Sequence, residues 1–116
     1  MGSKLPEVFM SLSDKKCVPC EGGTQPYSDQ EVIEILKQIS GWSVQYNRLY
    51  KEFKFKNFVD NMAFLNKVAE LAEAEGHHPD FCVHYNRTEF EIWTHSIDGL
   101  SENDFILAAK IDELLT

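Results

Sequence analysis

The sequence predicts an α+β domain in which two β-hairpins alternate with three helices, in the order αββαββα. Two segments, WSVQYNRLYKEFKF and FCVHYNRTEFEIWTH, alternate apolar and polar residues about the same Tyr-Asn-Arg centre, which is typical of hairpins. Before, between and after these segments, apolar residues recur at helical spacing. Two hairpins joined by a helix predict a four-stranded antiparallel sheet with helices packed on one face.

Each predicted helix begins at a residue that can cap it. Ser28 and Ser101 each have an acidic residue three positions later, which is the spacing of a capping box, and Asn57 can cap the middle helix. Asp104, the acid of the last box, is interpreted as a cap in preference to a catalytic group. The inward-facing residues are predicted to be Val32, Leu36, Ile39, then Phe58, Met62, Leu65, Val68, Ala69, Ala72, and finally Leu107, Ala108, Ile111, Leu115.

Each hairpin is predicted to turn at an Asn-Arg dipeptide, at residues 47–48 and 86–87. With the second turn there, counting outward along the strands places His78 opposite His95. Lys51 is the one residue that interrupts the apolar face of the first hairpin. The prediction therefore brings two sequence-distant histidines together at a sheet edge.

Composition restricts the classes of function. The chain has 116 residues, 43% of them hydrophobic, which suits one domain. A formal charge of −8 repels phosphate backbones and anionic lipids, so neither nucleic acid nor a membrane is an expected partner. The apolar runs fall far short of the roughly 20 residues that span a bilayer, and the start lacks a signal-peptide core. Three cysteines, an odd number, fit a reducing compartment, and a cytoplasmic location is expected.

The first 27 residues show no sustained period and are predicted to form a loose arm, with residues 28–116 as the single folded domain. The arm contains Cys17-Val-Pro-Cys20, a spacing that suits half a zinc site or a redox pair. Three interpretations stay open for this pair: a structural role in a subset of a family, a metal site between subunits, or no role.

The segment EGHHPDF sets His77 and His78 directly after the middle helix. Glu73 lies four residues before His77, so its carboxylate is expected to orient that imidazole. Together with His95, these residues would gather three imidazoles and an acid at one place. A solvated loop and a zinc site are the alternatives to acid/base chemistry.

The histidines belong to a longer set of residues at defined spacings. The set is Glu73-x3-His77-His78-Pro79, Tyr85-Asn86, Thr94-His95 and Gly99-Leu100-Ser101-Glu102-x-Asp104. It resembles the motif of the pterin-4a-carbinolamine dehydratases, and the likeness runs from about Ser28 to the end. The stretch CVPCEGG resembles an extension carried by a subset of bacterial-type members. Gly76 departs from animal members, which have an acidic residue before the histidine pair.

The resemblance implies the αββαββα fold and a hydro-lyase that dehydrates 4a-hydroxytetrahydropterin to quinonoid dihydropterin. This reaction recycles the pterin after aromatic amino-acid hydroxylation. The family's three catalytic histidines match His77, His78 and His95, with His77 and His95 assigned to acid/base work and His78 to substrate positioning. Histidine suits proton transfer because its unperturbed pKa is about 6.5. The resemblance implies neither a metal nor an organic cofactor, since the pterin is the substrate.

The resemblance also implies a set of binding residues and partners. Asp104 and Trp93 are supporting candidates, and whether Trp93 stacks on the pterin or covers a subunit interface stays open. A homodimer or homotetramer is expected, with an aromatic amino-acid hydroxylase as a further partner. The alternative function is a non-catalytic dimerisation or binding module, since animal members also act as partners of a transcription factor. The expected substrate-binding residues are Glu73, His77, His78, Pro79, Thr94, His95, Ser96 and Ile97.

Overall fold

The computed structural model describes residues 11–19 and 25–115. Two short 3₁₀ turns, Leu12–Asp14 and His95–Ile97, accompany the main elements, and the predicted αββαββα order is confirmed. None of the helices in the described part of the chain is long and apolar enough to cross a membrane. The main elements are α1 (Asp29–Leu36), β1 (Ser43–Gln45), β2 (Arg48–Lys54), α2 (Phe58–Glu75), β3 (Asp80–His84), β4 (Arg87–Ile92) and α3 (Glu102–Glu113).

The four strands form one antiparallel sheet in the order β1-β2-β4-β3, so β1 and β3 are its edges. One face of the two central strands is closed by α2 and α3, and the α+β class with helices on a four-stranded antiparallel sheet is confirmed. The buried residues at the centre of this layer are Leu49, Phe53, Phe90 and Ile92 from the sheet, Phe64, Leu65 and Val68 from α2, and Phe105, Ile106, Leu107, Ala108 and Ile111 from α3.

The predicted helix caps are all present. Ser28 forms a complete capping box with Glu31, and Ser101 forms one with Asp104. The side chain of Asn57 accepts the backbone N–H at the third position of α2. Because each box satisfies N–H groups that lack a partner inside the helix, these short polar motifs fix where α1, α2 and α3 begin.

The first hairpin turns one residue earlier than predicted. Gln45 pairs with Arg48, which leaves Tyr46 and Asn47 as the two turn residues. Both have positive φ, 53° and 61°, as a type I′ turn requires at each central position. Asparagine tolerates this region well, and the structure uses it as the second turn residue instead of the first. The faces of the strands are unchanged, because the pairing moves by two residues.

The second hairpin shows the same displacement. His84 pairs with Arg87, so the turn lies at residues 85–86. Buried Asn61 of α2 holds it there: its amide donates to the carbonyls of His84 and Arg87 at 2.9 and 3.2 Å, and its carbonyl accepts from Thr88 at 2.6 Å. The β3–β4 ladder ends at Asp80, and the predicted pairing of the two motif histidines across the strands is wrong.

Lys51, the exception on the apolar face, is bound by α3. Its Nζ lies 2.8 Å from the carboxylate of Asp112 and 2.9 Å from the carbonyl of Ser40. The same carboxylate accepts from the indole of Trp42 at 3.0 Å, and the ammonium lies 4.7 Å from the ring centroid of Phe53. The charge of this partly buried lysine is therefore compensated by an ion pair with α3 and by contact with aromatic rings.

Residues 11–19 differ from the expectation of a loose arm. Leu12 is only 3% exposed and belongs to the hydrophobic core, and its 3₁₀ turn packs on α3. Lys15 forms a 2.7 Å ion pair with Glu102 at the start of that helix. A single buried leucine in a segment without periodicity leaves no pattern for sequence analysis to detect. The division of the chain at residue 28 stays a prediction, and Cys20 lies outside the described residues.

Candidate active site

A cavity of about 280 Å³ lies where the end of α2 meets the end of β4. All three predicted catalytic histidines border it, together with Trp93, Thr94 and Ser96, although the cross-strand pairing expected to unite them does not occur. Glu73, Pro79, Ile97 and Asp104 do not border the cavity. The lining residues are Val18, Pro19, Gly76, His77, His78, Trp93, Thr94, His95, Ser96 and Asn103.

The end of α2 determines where the paired histidines lie. Gly76 adopts the left-handed conformation, with φ of 67°, and the backbone N–H groups of Gly76 and His77 both donate to the carbonyl of Ala72. A Cβ built at Gly76 would meet nothing within 4 Å, so the position favours glycine for its backbone angle and not for space. The helix stops there and the chain turns into β3.

His77 is held by a buried carboxylate. Its Nε2 lies 2.6 Å from Oδ1 of Asp104, a residue with no exposed surface. The other oxygen, Oδ2, accepts from the backbone N–H of Ser101 at 2.9 Å and from the hydroxyl of Thr94 at 2.8 Å. The capping role predicted for Asp104 is therefore confirmed, and the same carboxylate also orients a histidine. His77 keeps 12% of its side chain exposed, at the cavity.

Glu73 contacts a different histidine from the one predicted. Its Oε2 lies 2.6 Å from Nε2 of His78, not beside His77. The four-residue spacing would apply only if the helix continued, and the left-handed Gly76 takes His77 off the helical path. Both members of the Glu73–His78 pair are well exposed, so the pair orients His78 without adding much stability.

His95 belongs to a group of packed side chains that also borders the cavity. Its ring centroid lies 4.1 Å from that of Trp93, and the guanidinium of Arg48 lies 4.2 Å from the Trp93 ring. Asp80 accepts from the Trp93 indole at 3.3 Å and lies 3.9 Å from Nε2 of His95. Sequence reasoning missed Arg48 and Asp80. The position of Asp80 directly after the histidine-proline motif was the only available signal.

The arm supplies lining residues that sequence analysis also missed, Val18 and Pro19. Beside them, burial raises the pKa of the Cys17 thiol to about 12, and the Glu75 carboxylate adds to the rise. The thiol is therefore protonated at neutral pH, whereas zinc and nucleophilic chemistry use the thiolate. Within residues 11–19 and 25–115, no cluster of three or more acidic, histidine or cysteine side chains could hold a metal ion.

Comparisons with known proteins agree with this architecture. The sequence model of the family described as "Pterin 4 alpha carbinolamine dehydratase" matches residues 25–114. A "Putative pterin-4-alpha-carbinolamine dehydratase" of Halorhodospira halophila is 51% identical over 107 residues, covering 90% of this chain and 98% of that protein. A protein of the same name from Rickettsia bellii is 52% identical over 109 residues, covering 92% and 96%. These shares are too large to lie within residues 25–116 alone, so both similarities reach into the arm.

Two solved structures are also similar. A "transcriptional coactivator/pterin dehydratase" from Brucella melitensis superposes with a TM-score of 0.76 at 30% identity, covering 79% of this chain and all of that one. A "pterin dehydratase-like protein" described as a RuBisCO assembly factor has a TM-score of 0.53 at 24% identity and shows the fold alone. The family match covers most of the chain, and the motif resemblance is confirmed. The chain belongs to the pterin-4a-carbinolamine dehydratase family of enzymes.

Proposed function

We propose that this protein removes water from 4a-hydroxytetrahydropterin to give quinonoid dihydropterin, with histidines of the cavity carrying the protons. The observation that supports this proposal most is the convergence of His77, His78 and His95 on one cavity, with His77 fixed by a buried carboxylate. The family and its relatives supply the substrate class and the reaction type.

The reaction requires one proton to be delivered and one to be removed. The bond between C4a and the hydroxyl oxygen breaks, and an acid protonates the leaving oxygen so that it departs as water. A ring nitrogen loses a proton to a base, and its electron pair forms the new double bond. The proton count balances, because the substrate loses one water in total. No redox step and no metal is required by this scheme.

The geometry suggests which histidine takes which role. A carboxylate oxygen accepts hydrogen bonds, so Nε2 of His77 donates to Asp104 and Nδ1 is left to accept a proton. A buried carboxylate behind an imidazole also compensates the charge that the ring gains as a base. We therefore assign His77 as the base and His95, which borders the same cavity, as the acid. His78, whose Nε2 contacts Glu73, is assigned to positioning.

The pterin contacts are proposed for the residues that border the cavity. Thr94, Ser96 and His78 offer polar groups there, and Trp93 offers part of its aromatic surface. Glu73 would act indirectly, through His78. Trp93 borders the cavity and packs against His95, the proposed acid, which supports a place in the site over a role as interface cover.

Stopped-flow measurement of carbinolamine dehydration tests the proposal. Replacement of His77 or His95 by alanine is expected to lower kcat by 10²–10⁴, about the usual contribution of a general acid or base. His84→Ala is the matched control, because His84 lies on β3, pairs with Glu89 at 3.7 Å and does not border the cavity. Turnover that is unchanged in both cavity variants would refute the assignment. Activity should also survive exhaustive chelation.

A second candidate function is a binding module, because the Brucella neighbour is named a transcriptional coactivator as well as a dehydratase. A wild-type protein that binds partners but shows no dehydration would favour it. We also propose a homo-oligomer and, as a further partner, an aromatic amino-acid hydroxylase. The exposed edge strand β3, with Phe81 and Val83 each about 40% exposed, supports self-association.

A further inference from the structure

Residues Cys17–Pro19, here called the strap, are fixed to the domain through their backbone. The N–H of Cys17 donates to the Glu75 carboxylate at 2.9 Å, and Glu75 is itself paired with Lys110 at 3.0 Å. Asn103 binds Val18 twice, accepting from its N–H at 3.0 Å and donating to its carbonyl. Amide side chains that satisfy both polar groups of one residue fix its backbone much as a neighbouring strand would.

This anchoring leaves the Val18 side chain 63% exposed, although it is apolar and borders the histidine cavity. Its own burial contributes little to folding. The arm packs on the domain through other residues, chiefly the partly buried Cys17 and the core residue Leu12. The fold therefore holds a valine and the adjoining proline at the cavity without using either side chain for its core.

We propose that Val18 and Pro19 form an apolar wall of the pterin site and contact the bicyclic ring of the bound substrate. This inference rests on the proposed function, and it adds the arm to the substrate-binding residues. The cavity combines three imidazoles, which serve polar and reacting atoms, with two aliphatic side chains that suit the face of a ring. Small-molecule sites are commonly built in this way, from apolar walls with a few placed polar groups.

The wall should affect substrate binding more than chemistry. Aliphatic contacts with a ring are the same before and during proton transfer, so they lower the energy of the bound substrate and the transition state together. Removing such a contact raises KM and leaves kcat nearly unchanged. The histidine variants should show the opposite pattern, with the loss in kcat. This difference separates the strap from the catalytic groups.

The test compares Val18→Ala with Val59→Ala in the full chain. Val59, on α2, is 72% exposed and does not border the cavity, so the two changes remove the same atoms from similarly exposed sites. We expect KM to rise about five-fold in Val18→Ala, with kcat within about two-fold, and neither to change in Val59→Ala. Val18→Asp should raise KM further, with Val59→Asp as its control. The melting temperature of each variant is measured beside its kinetics, so that a loss of folded protein is not counted as a loss of binding.

The outcomes separate this inference from the function on which it rests. If the wild type is active but Val18→Ala has the same KM as Val59→Ala, and Val18→Asp the same KM as Val59→Asp, the strap has no role in binding. The dehydratase assignment would then still stand. A fall in kcat with unchanged KM in Val18→Ala would also overturn the strap's role. An inactive wild type would remove the proposed function and the wall together.

Discussion

Replacement of Asp104 by asparagine tests whether one carboxylate serves both the helix and the base. In the native site, Oδ2 accepts from Ser101 and Thr94, while Oδ1 faces Nε2 of His77. Asparagine keeps a single acceptor oxygen. If that oxygen stays with Ser101 and Thr94, the new amide group points at Nε2, where two donors would meet. His77 must then move its proton to Nδ1 to accept from the amide.

The expected cost follows from these contacts. The cap is retained in weakened form, so the fold should lose about 1–2 kcal/mol, in the range measured for caps and for hydrogen bonds to charged groups. The change of tautomer removes the lone pair on Nδ1 that accepts the substrate proton. Because a general base contributes about 10²–10⁴ to the rate, kcat should fall by about 100-fold or more.

Ser101→Ala is the matched control, because it removes the hydroxyl of the same capping box, with its 2.9 Å contact to Thr94, and keeps the Asp104 carboxylate that faces His77. It should cost about 1 kcal/mol of stability and little activity. Thermal melting measures the first effect, and stopped-flow dehydration of folded protein measures the second. If Asp104→Asn loses no more kcat than Ser101→Ala, the carboxylate is a cap alone and the base assignment of His77 fails.

Three further predictions concern the arm and its anchor. Leu12→Ala should lower the free energy of unfolding by about 2–3 kcal/mol, measured in urea, because it empties a buried site; a change near zero would show that the arm is loose after all. Glu75→Gln should cost about 1–3 kcal/mol near neutral pH, because it removes the charge opposite Lys110 and leaves one acceptor oxygen for two donors. Burial opposes the charge on Glu75, but the Cys17 N–H and Lys110 outweigh it and lower the pKa below 4.5. The charge on Glu75 therefore stabilises the fold fully above pH 4.5, and this stabilisation is lost as the pH falls through the lower pKa of the folded state. The difference in unfolding free energy between wild type and Glu75→Gln should narrow in acid, and a wider difference would contradict the assignment. Iodoacetamide at mildly alkaline pH should modify exposed Cys82 before Cys17, as read by peptide mass spectrometry, since the Cys17 pKa is about 12; equal rates would mean that Cys17 is not buried.

The elements of the fold were predictable because their signals are local. Capping boxes, helical periodicity and strand alternation each occupy a few consecutive residues, and the three helices begin at the predicted caps. Of the residues predicted to face inward, Phe58, Ala69 and Leu115 are exposed instead. The hairpin turns were misplaced by one residue because Tyr-Asn and Asn-Arg preserve the same alternation of faces. The choice between them depends on distant groups such as Asn61, which binds the second turn from α2. The periodicity of the strand residues does not indicate such contacts between distant parts of the sequence.

The residues of the candidate site were easier to predict than the contacts between them. The three histidines do share a cavity, but the carboxylate expected to hold His77 instead contacts His78. That error came from extending helical spacing through Gly76, whose left-handed conformation redirects the chain. The arm was missed for a different reason. Leu12 is one apolar residue in a polar stretch, and its burial depends on a groove that only the folded domain provides.

The first turn of α3 contributes both to the stability of the fold and to the proposed site. Asp104 caps the helix and holds His77, while the adjacent Asn103 holds the strap through Val18. Beyond this turn, Phe105–Ala108 and Ile111 of α3 are buried in the core, so the positions of both groups are set by packing and not by the site itself. A rigid core helix can therefore position the proposed base and the proposed apolar wall at the same cavity. It follows that loss of activity from changes in this turn identifies a catalytic role only when stability is measured beside it.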